Sequence, residues 1–336
     1  MVLQVRFPSS NPAQILVELV DGSGHVAASA QFSPPAKPVV GGCVVVLPPP
    51  VRVAAGAVFY ADSAGTVHRL GPNGTITQVA SFPINSAQLL SFAVSPDGQK
   101  LMAILFGTPG TTGHWTLDLE SATAGGSTTN VLHKDFGQAP PTPGPTLVAG
   151  WDDAGPVATL NSTFCVQNSI PSSDYTGSSL IHLGADGTHL DTIGGAGCAA
   201  WDELHDGTVI CGGSDWRSFS VRARTGAVEW SRNVGGFVLE PRLSPNTNGV
   251  TVNGDHEELF LQGSGTPATV TGKQGAVYIL GWFGSNYLVV LQGGTHLGLV
   301  TAANVSSVKD LGLTVQTSCT QCVPNAAAIV GTLGNP

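Results

Sequence analysis

The residues best suited to chemistry are two Trp-acid phrases, Trp151-Asp152-Asp153 and Trp201-Asp202-Glu203. If the two phrases occupy equivalent places in neighbouring units, their carboxylates lie at similar height near one face. Clustered carboxylates suit calcium, a hard cation that takes oxygen ligands, or a polyol, and an indole ring gives a sugar a surface to stack on. A pair of these acids would also fit glycoside cleavage, where the separation of the two carboxyls decides the stereochemical course. The architectural alternative is that Asp after a strand accepts turn amides and Trp fills space between units. Calcium is the one cofactor these residues suggest.

Other catalytic patterns are missing from the chain. The nine histidines, His25, His68, His114, His133, His182, His189, His205, His256 and His296, form neither His-X-His nor His-Glu-X-X-His. Each is expected to be a surface or hydrogen-bonded residue, and His205-Asp206 beside Glu203 is the one cluster near an acidic turn. No Gly-X-Ser-X-Gly elbow is present to expose a nucleophile. Asp174-Tyr175, in a long polar stretch, is a further candidate for a binding face. The net charge of −9, with only 13 Lys plus Arg spread singly, excludes the basic footprint of a nucleic-acid partner.

What positions these residues is a repeat. A strand, a tight turn and a second apolar strand recur at Phe92 to Gly98, Gly150 to Asp153, Ala200 to Glu203, Arg242 to Asn246 and Gly281 to Gly284. From about residue 51 the anchors are spaced near the roughly 40 to 50 residues of a four-stranded unit. The composition agrees: 44 Gly, 23 Pro and 10% charged residues suit short strands joined by turns. The longer steps hold a Pro-rich stretch, Gln138 to Pro145, and a polar stretch, Asn161 to Ser179. Within a unit the outer hairpin reads as Thr66 to Leu70, Gly71-Pro-Asn-Gly74 and Thr75 to Val79. Gly serves at such turns because the backbone reaches positive φ.

Ser95-Pro96-Asp97-Gly98 followed by Gln99 to Ile104 resembles the repeat of TolB-type and WD40-like bacterial propellers, in which this turn joins the first two strands of a blade. Phe219 to Trp230, with Arg224-Thr-Gly-Ala-Val-Glu-Trp230, is similar to the outer hairpin of quinoprotein-type repeats. The resemblance covers roughly residues 51 to 333. It implies a fold, and it implies no quinone, because the quinone-binding residues have no matched set here. The expected fold is therefore all-β, a β-propeller of six blades over residues 43–336, closed by a C-terminal strand, Ala326 to Val330, that joins the first blade. Residues 1–42 form an N-terminal β segment of three strands, Val2 to Phe7, Ala13 to Val20 and His25 to Phe32. Three strands are unstable alone, so they dock on the propeller, pair with another subunit, or supply strands to a seventh blade.

Six cysteines allow 15 full pairings. Cys198 and Cys211 flank the turn Asp202 to Gly207 nearly symmetrically and suit a disulfide across a hairpin; their alternative is two buried small hydrophobes. Cys319-Thr-Gln-Cys322 has the spacing of half a zinc site, but the second half is missing, so a local disulfide is expected. Low lysine content, an even cysteine number and Gly/Thr/Ser-rich loops favour an extracellular, periplasmic or cell-surface setting, with a leader absent from this sequence. Asn73, Asn161 and Asn304 are glycan acceptors only in a glycosylating pathway. No apolar run is long enough for a spanning helix. The expected function is an exported, non-catalytic binding module for a protein or carbohydrate partner. The alternatives are a surface-assembly subunit pairing through residues 1–42, and a lyase or glycosidase using the acidic face.

Overall fold

The computed structural model describes residues 2–7, 14–36, 39–40, 43–44, 50–109, 113–139, 146–160, 179–203, 206–213, 217–236, 238–254, 256–272, 276–315 and 327–331. Every regular element among them is a β-strand. The chain begins with β1 (Val2–Phe7), β2 (Gln14–Val20) and β3 (Val26–Phe32), then a short pair, β4 (Val39–Val40) and β5 (Cys43–Val44). Sheet 1 is β6 (Val51–Ala54), β7 (Ala57–Ala61), β8 (Thr66–Leu70) and β9 (Ile76–Ser81). Sheet 2 is β10 (Gln88–Val94), β11 (Lys100–Gly107), β12 (Trp115–Thr123) and β13 (Thr128–Gly137). Sheet 3 is β14 (Thr146–Trp151), β15 (Pro156–Leu160), β16 (Ser179–Leu183) and β17 (His189–Thr192). Sheet 4 is β18 (Ala199–Glu203), β19 (Val209–Gly212), β20 (Ser218–Arg222) and β21 (Val228–Asn233). Sheet 5 is β22 (Leu239–Leu243), β23 (Gly249–Asn253), β24 (Glu258–Leu261) and β25 (Ala268–Thr269). Sheet 6 is β26 (Val277–Phe283), β27 (Tyr287–Gln292), β28 (His296–Thr301) and β29 (Asn304–Thr314).

The six sheets coincide with the six units legible in the sequence, and a further four-stranded sheet has the order β3-β2-β1-β30, where β30 is Ala327–Gly331. The terminal strand thus pairs antiparallel with β1 rather than with a strand of sheet 1. It lies against β26 of sheet 6 on one side and β6 of sheet 1 on the other. The architecture is that of a β-propeller.

Second strands such as Lys100–Gly107 are apolar and buried on nearly every residue, as expected of a strand covered on both faces by neighbouring sheets. Seven hydrophobic clusters occupy the described core, one in each seam between adjacent sheets. Phe59, Phe82 and Phe92 fill the seam of sheets 1 and 2, and Phe219, Trp230 and Phe260 that of sheets 4 and 5. Val20 of β2 packs with Leu280 and Leu299 of sheet 6, while Phe32 of β3 packs with Val51, Tyr60 and Leu70 of sheet 1.

A second contact recurs around the ring. The outer strand of one sheet, or the residues just past it, touches the last hairpin of the next. Gly125 donates its amide to Val79 O, Leu132 packs against Gly187, Gly194 donates to Arg224 O and Arg232 Nη2 donates to Ser264 O. Thr271 N donates to Val305 O, and Lys309 Nζ donates to Gly22 O in the β2–β3 turn. Gly24 in that turn has φ 91°, and a Cβ there would fall 2.0 Å from Leu311 O, so the sheet built on β2 and β3 approaches sheet 6 too closely for a side chain.

Side chains also tie inner strands across seams. Arg52 Nε donates to Phe92 O, Ser91 Oγ accepts from Val148 N, and Asn253 clasps both the amide and the carbonyl of Ile279. These bonds satisfy backbone groups that the ends of four-stranded sheets leave open.

Candidate functional site

The recurrent phrase folds into turns with their own chemistry. In Ser95-Pro96-Asp97-Gly98, Ser95 Oγ donates to Asp97 Oδ1 and accepts from Lys100 N, while Gln99 N donates to Asp97 Oδ1. Gly98 closes the turn at φ 72°. Ser244-Pro245-Asn246-Thr247 repeats it: Ser244 Oγ donates to Asn246 Oδ1 and accepts from Gly249 N. Here Thr247 sits at φ 60°, a conformation that is costly for a β-branched residue. The Trp phrases take another form. The hairpins β14–β15, β18–β19 and β26–β27 each break register just before or at the Trp, between Val148 and Gly150, Ala200 and Asp202, and Ile279 and Gly281. Such bulges re-aim the side chains that follow.

Asp152 is the centre of the strongest polar group. Its side chain is 1% exposed, and Oδ1 accepts the amides of Ala154 at 2.7 Å and Gly155 at 3.0 Å. Its Oδ2 lies 2.7 Å from His182 Nε2 on β16 and accepts from Arg224 Nη2, in the β20–β21 turn of sheet 4, at 2.9 Å. His182 is itself 2% exposed, and its Nδ1 makes a short hydrogen bond to Asp191 on β17, whose side chain is 53% exposed. Burial pushes the Asp152 carboxyl up, but the His182 hydrogen bond, the Ala154 amide and the charges of His182 and Arg224 outweigh it, leaving it below the ordinary carboxylate range. For His182, burial pulls the imidazole down, and the bonds and charges of Asp152 and Asp191 reverse this, holding it above its ordinary value.

Of the six sequence candidates, then, Asp152 is buried and its acceptor positions are filled by turn amides and two cationic side chains, whereas Asp153 beside it is exposed. Trp151 packs partly buried on the cluster between sheets 2 and 3. Trp201, Asp202 and Glu203 lie on β18 at the end that leads into the β18–β19 turn, the topological equivalent of Trp151 at the end of β14 and Asp152 in the turn after it. Their side chains, together with His205, Asp174-Tyr175 and Cys319-Cys322, lie outside the described residues. Among those described, no group of three or more His, Cys, Asp or Glu is arranged to hold a metal ion.

Sequence reasoning missed His182, Asp191 and Arg224. The one local signal was a histidine inside the apolar run Leu180-Ile181-His182-Leu183, where a polar side chain needs a partner. The pairing of histidine with aspartate also recurs elsewhere: His68 with Asp62, His114 with Asp135 and His133 with Asp118.

Cys198 and Cys211 form a disulfide with Cα atoms 5.0 Å apart, and both residues are buried in the seam of sheets 3 and 4. The register pairs Cys211 with Ala200, so the bond crosses β18 and β19 diagonally rather than joining directly opposed residues.

No protein-family model matches the chain, and no curated protein matches it in sequence. Among solved structures, an oligogalacturonate lyase in complex with manganese aligns with a TM-score of 0.50 at 10% identity, over 83% of this chain and 79% of that one. A chain of the mitotic checkpoint complex aligns with a TM-score of 0.47 at 14% identity, over 83% of this chain and 84% of that one. The C-terminal WD40 domain of Sif2 gives 0.44 at 13% identity, over 83% of this chain and 76% of that one. Identities this low bear on fold alone. The seven four-stranded sheets, with the lyase alignment, make the chain a β-propeller.

Proposed function

We propose that the chain is an exported, non-catalytic, seven-bladed propeller that binds a partner, protein or carbohydrate, at one end of its ring. The blade count rests on β1–β3 and β30, which have the same strand order, seam clusters and outer contacts as sheets 1 to 6. Cis pairing of β1 with β30 supports residues 1–42 acting within their own ring, against the assembly reading in which they pair with a neighbour. The buried Cys198–Cys211 disulfide supports an oxidising, exported setting.

The observation that carries the reading is the asymmetry of the connections. Within each sheet the first-to-second and third-to-fourth turns lie at one end, and the longest of them is 262–267. The long connections 33–50, 108–114, 138–145, 161–178 and 315–326 all leave from the other end. Propellers keep their scaffold constant and vary such connections, which is where recognition is built. The tight-turn end, by contrast, holds Asp152 in architecture.

The test is binding and turnover with the intact chain. Once a protein or glycan ligand has been found by array, shortening 161–178 is expected to abolish binding, and Asp153→Ala at the opposite end is expected to leave it unchanged. The reverse pattern would move the site to the acidic end. Depolymerisation of any polysaccharide by the parent, lost in Asp153→Asn, would replace this reading with the lyase or glycosidase one.

A further inference from the structure

The seam between sheets 3 and 4 differs from its neighbours. Among the described side chains its apolar cluster is Ala149, Val157, Leu180, Ile193, Cys198, Ala200, Val209 and Cys211. Gly195 and Gly226 approach so closely that a Cβ on either would lie 3.0 Å from the other's Cα. Polar contacts lie beside this cluster. Arg224 of sheet 4 reaches across to Asp152 and Arg222 to Gly194 O, and behind them, within sheet 3, Asp152 is bonded to His182 and His182 to Asp191.

The geometry around His182 suits the imidazolium. Both ring nitrogens face carboxylate oxygens, Nε2 that of Asp152 and Nδ1 that of Asp191. A neutral imidazole has one N–H and can donate to only one of them, turning a lone pair on the other; the cation donates to both. With the cation the four groups sum to zero charge, and without it a net negative charge is left beside a buried carboxylate. Arg224 cannot compensate, because Nη2 already donates to Asp152 and its Nε is buried without a hydrogen-bond partner.

We propose that this seam is controlled by a proton-operated joint inside sheet 3: as the imidazolium His182 ties β17 to the β14–β15 turn, and loss of one ring proton frees Asp191 on β17, three residues before Gly194, whose amide bonds Arg224 O across the seam, so the contact between sheets 3 and 4 loosens. The charged groups around His182 are Asp152 and exposed Asp153 in the β14–β15 turn, Asp191 and His189 on β17, Arg222 and Arg224 from sheet 4, and Asp206 beside Gly207, on which Arg224 packs. Asp202 and Glu203 lie on the adjacent β18. Of these, the charges of Asp152 and Asp191 favour the cation. The seam is closed at acidic to neutral pH and opens as pH rises through the value at which His182 releases its proton.

The joint has a built-in reporter, the Gly194 amide, which donates across the seam to Arg224 O at 2.9 Å. Ring-nitrogen NMR of the full chain should show both His182 nitrogens protonated at pH 6, with the proton lost only above the ordinary histidine range. Gly194 exchange, corrected for intrinsic base catalysis, should lose roughly ten- to a hundredfold protection across that titration, the equivalent of one hydrogen bond to a charged group. Asp191→Asn, at an exposed side chain, should fold and shift the His182 titration to lower pH, with Gly194 protection following it. His182→Gln should abolish the pH dependence at Gly194 while leaving that of a distant amide such as Gly125. A singly protonated His182 at pH 6, or Gly194 protection that does not track its titration in the parent and in Asp191→Asn, would overturn the proposal even if His182→Gln does not fold.

Discussion

Removing the tether between Cys198 and Cys211 gives a magnitude that can be worked from the structure. The two residues are 13 apart in sequence, and closing a loop of that length removes denatured-state entropy worth roughly 3 kcal/mol at 25 °C. The sulfurs also fill space: a Cβ at Gly194 would lie 2.8 Å from Cys198 Sγ and 3.1 Å from Cys211 Sγ, so Cys198→Ala/Cys211→Ala adds a packing loss of about 1 kcal/mol or more. If the ring unfolds as one unit, 336 residues carry an unfolding entropy near 0.7 kcal/mol per degree, and the tether shifts Tm by only about 4 °C. If sheets 3 and 4 melt as a smaller unit, the same loss gives a shift several times larger, as expected of a repeat architecture. The assay is urea and thermal unfolding of parent and double variant, each with and without reductant. Reductant should destabilise the parent by roughly 3 kcal/mol more than the variant, a difference that cancels any other thiol chemistry in the chain. A difference below about 1 kcal/mol would show that the denatured hairpin is already held closed and would refute the entropic reasoning.

Asp152→Ala should cost about 3 to 5 kcal/mol, because it leaves His182 and Arg224 without their buried counter-charge, whereas Asp153→Ala at the exposed neighbour should stay within about 0.5 kcal/mol in urea unfolding. Thr247→Gly should stabilise by about 0.5 to 1 kcal/mol, since it removes left-handed strain while keeping the carbonyl that accepts from Trp230 Nε1; destabilisation would show that the Thr side chain holds the turn. Gly226→Ala combines φ 92° with a Cβ 3.0 Å from Gly195 Cα and should cost about 2 kcal/mol or more, with loss of exchange protection confined first to the seam of sheets 3 and 4. On the acid side, Asp62 and Asp152 both have carboxyls held below their ordinary value, so their contribution is complete above the unfolded carboxylate range and is lost as pH falls through the depressed folded values. Asp62→Asn should therefore flatten the fall of Tm as pH drops below the ordinary carboxylate range.

Sheets 1 to 6 were readable because every strand pairs with its chain neighbour and the turns carry local signals, as in Thr66 to Leu70, whose ends were placed without error. The strands of the seventh sheet were also readable, and a seventh blade stood as an alternative, but the terminal strand was assigned to the first blade, because an antiparallel pairing between remote strands such as β1 and β30 leaves no mark in either sequence. The same distinction runs through the site. Asp152 as an acceptor of turn amides is a local device and was foreseen as an alternative; its bond to Arg224 crosses 72 residues and a seam, and no spacing rule announces it. Cys198 and Cys211 fall between these cases. Their nearness followed from the hairpin, but the register, which sets Cys211 opposite Ala200 and makes the bond diagonal, did not.

If 161–178 holds a partner, sheet 3 would connect it to the proposed joint. β15 runs from the Asp152–Gly155 turn to Leu160, and β16 returns from Ser179 to His182 and Leu183. The connection 161–178 therefore leaves and re-enters the sheet at the end opposite Asp152, while His182 sits near the end that Asp152 caps. Strands this buried move as rigid units rather than bending, so a shift at the seam of sheets 3 and 4 is carried along β15 and β16 to the base of that connection. A partner held there would sense the proton on His182 through the tilt of one sheet. The coupling must be reciprocal: binding at 161–178 that favours one tilt must shift the His182 titration in the matching direction, and a ligand that leaves that titration unmoved does not act through this sheet.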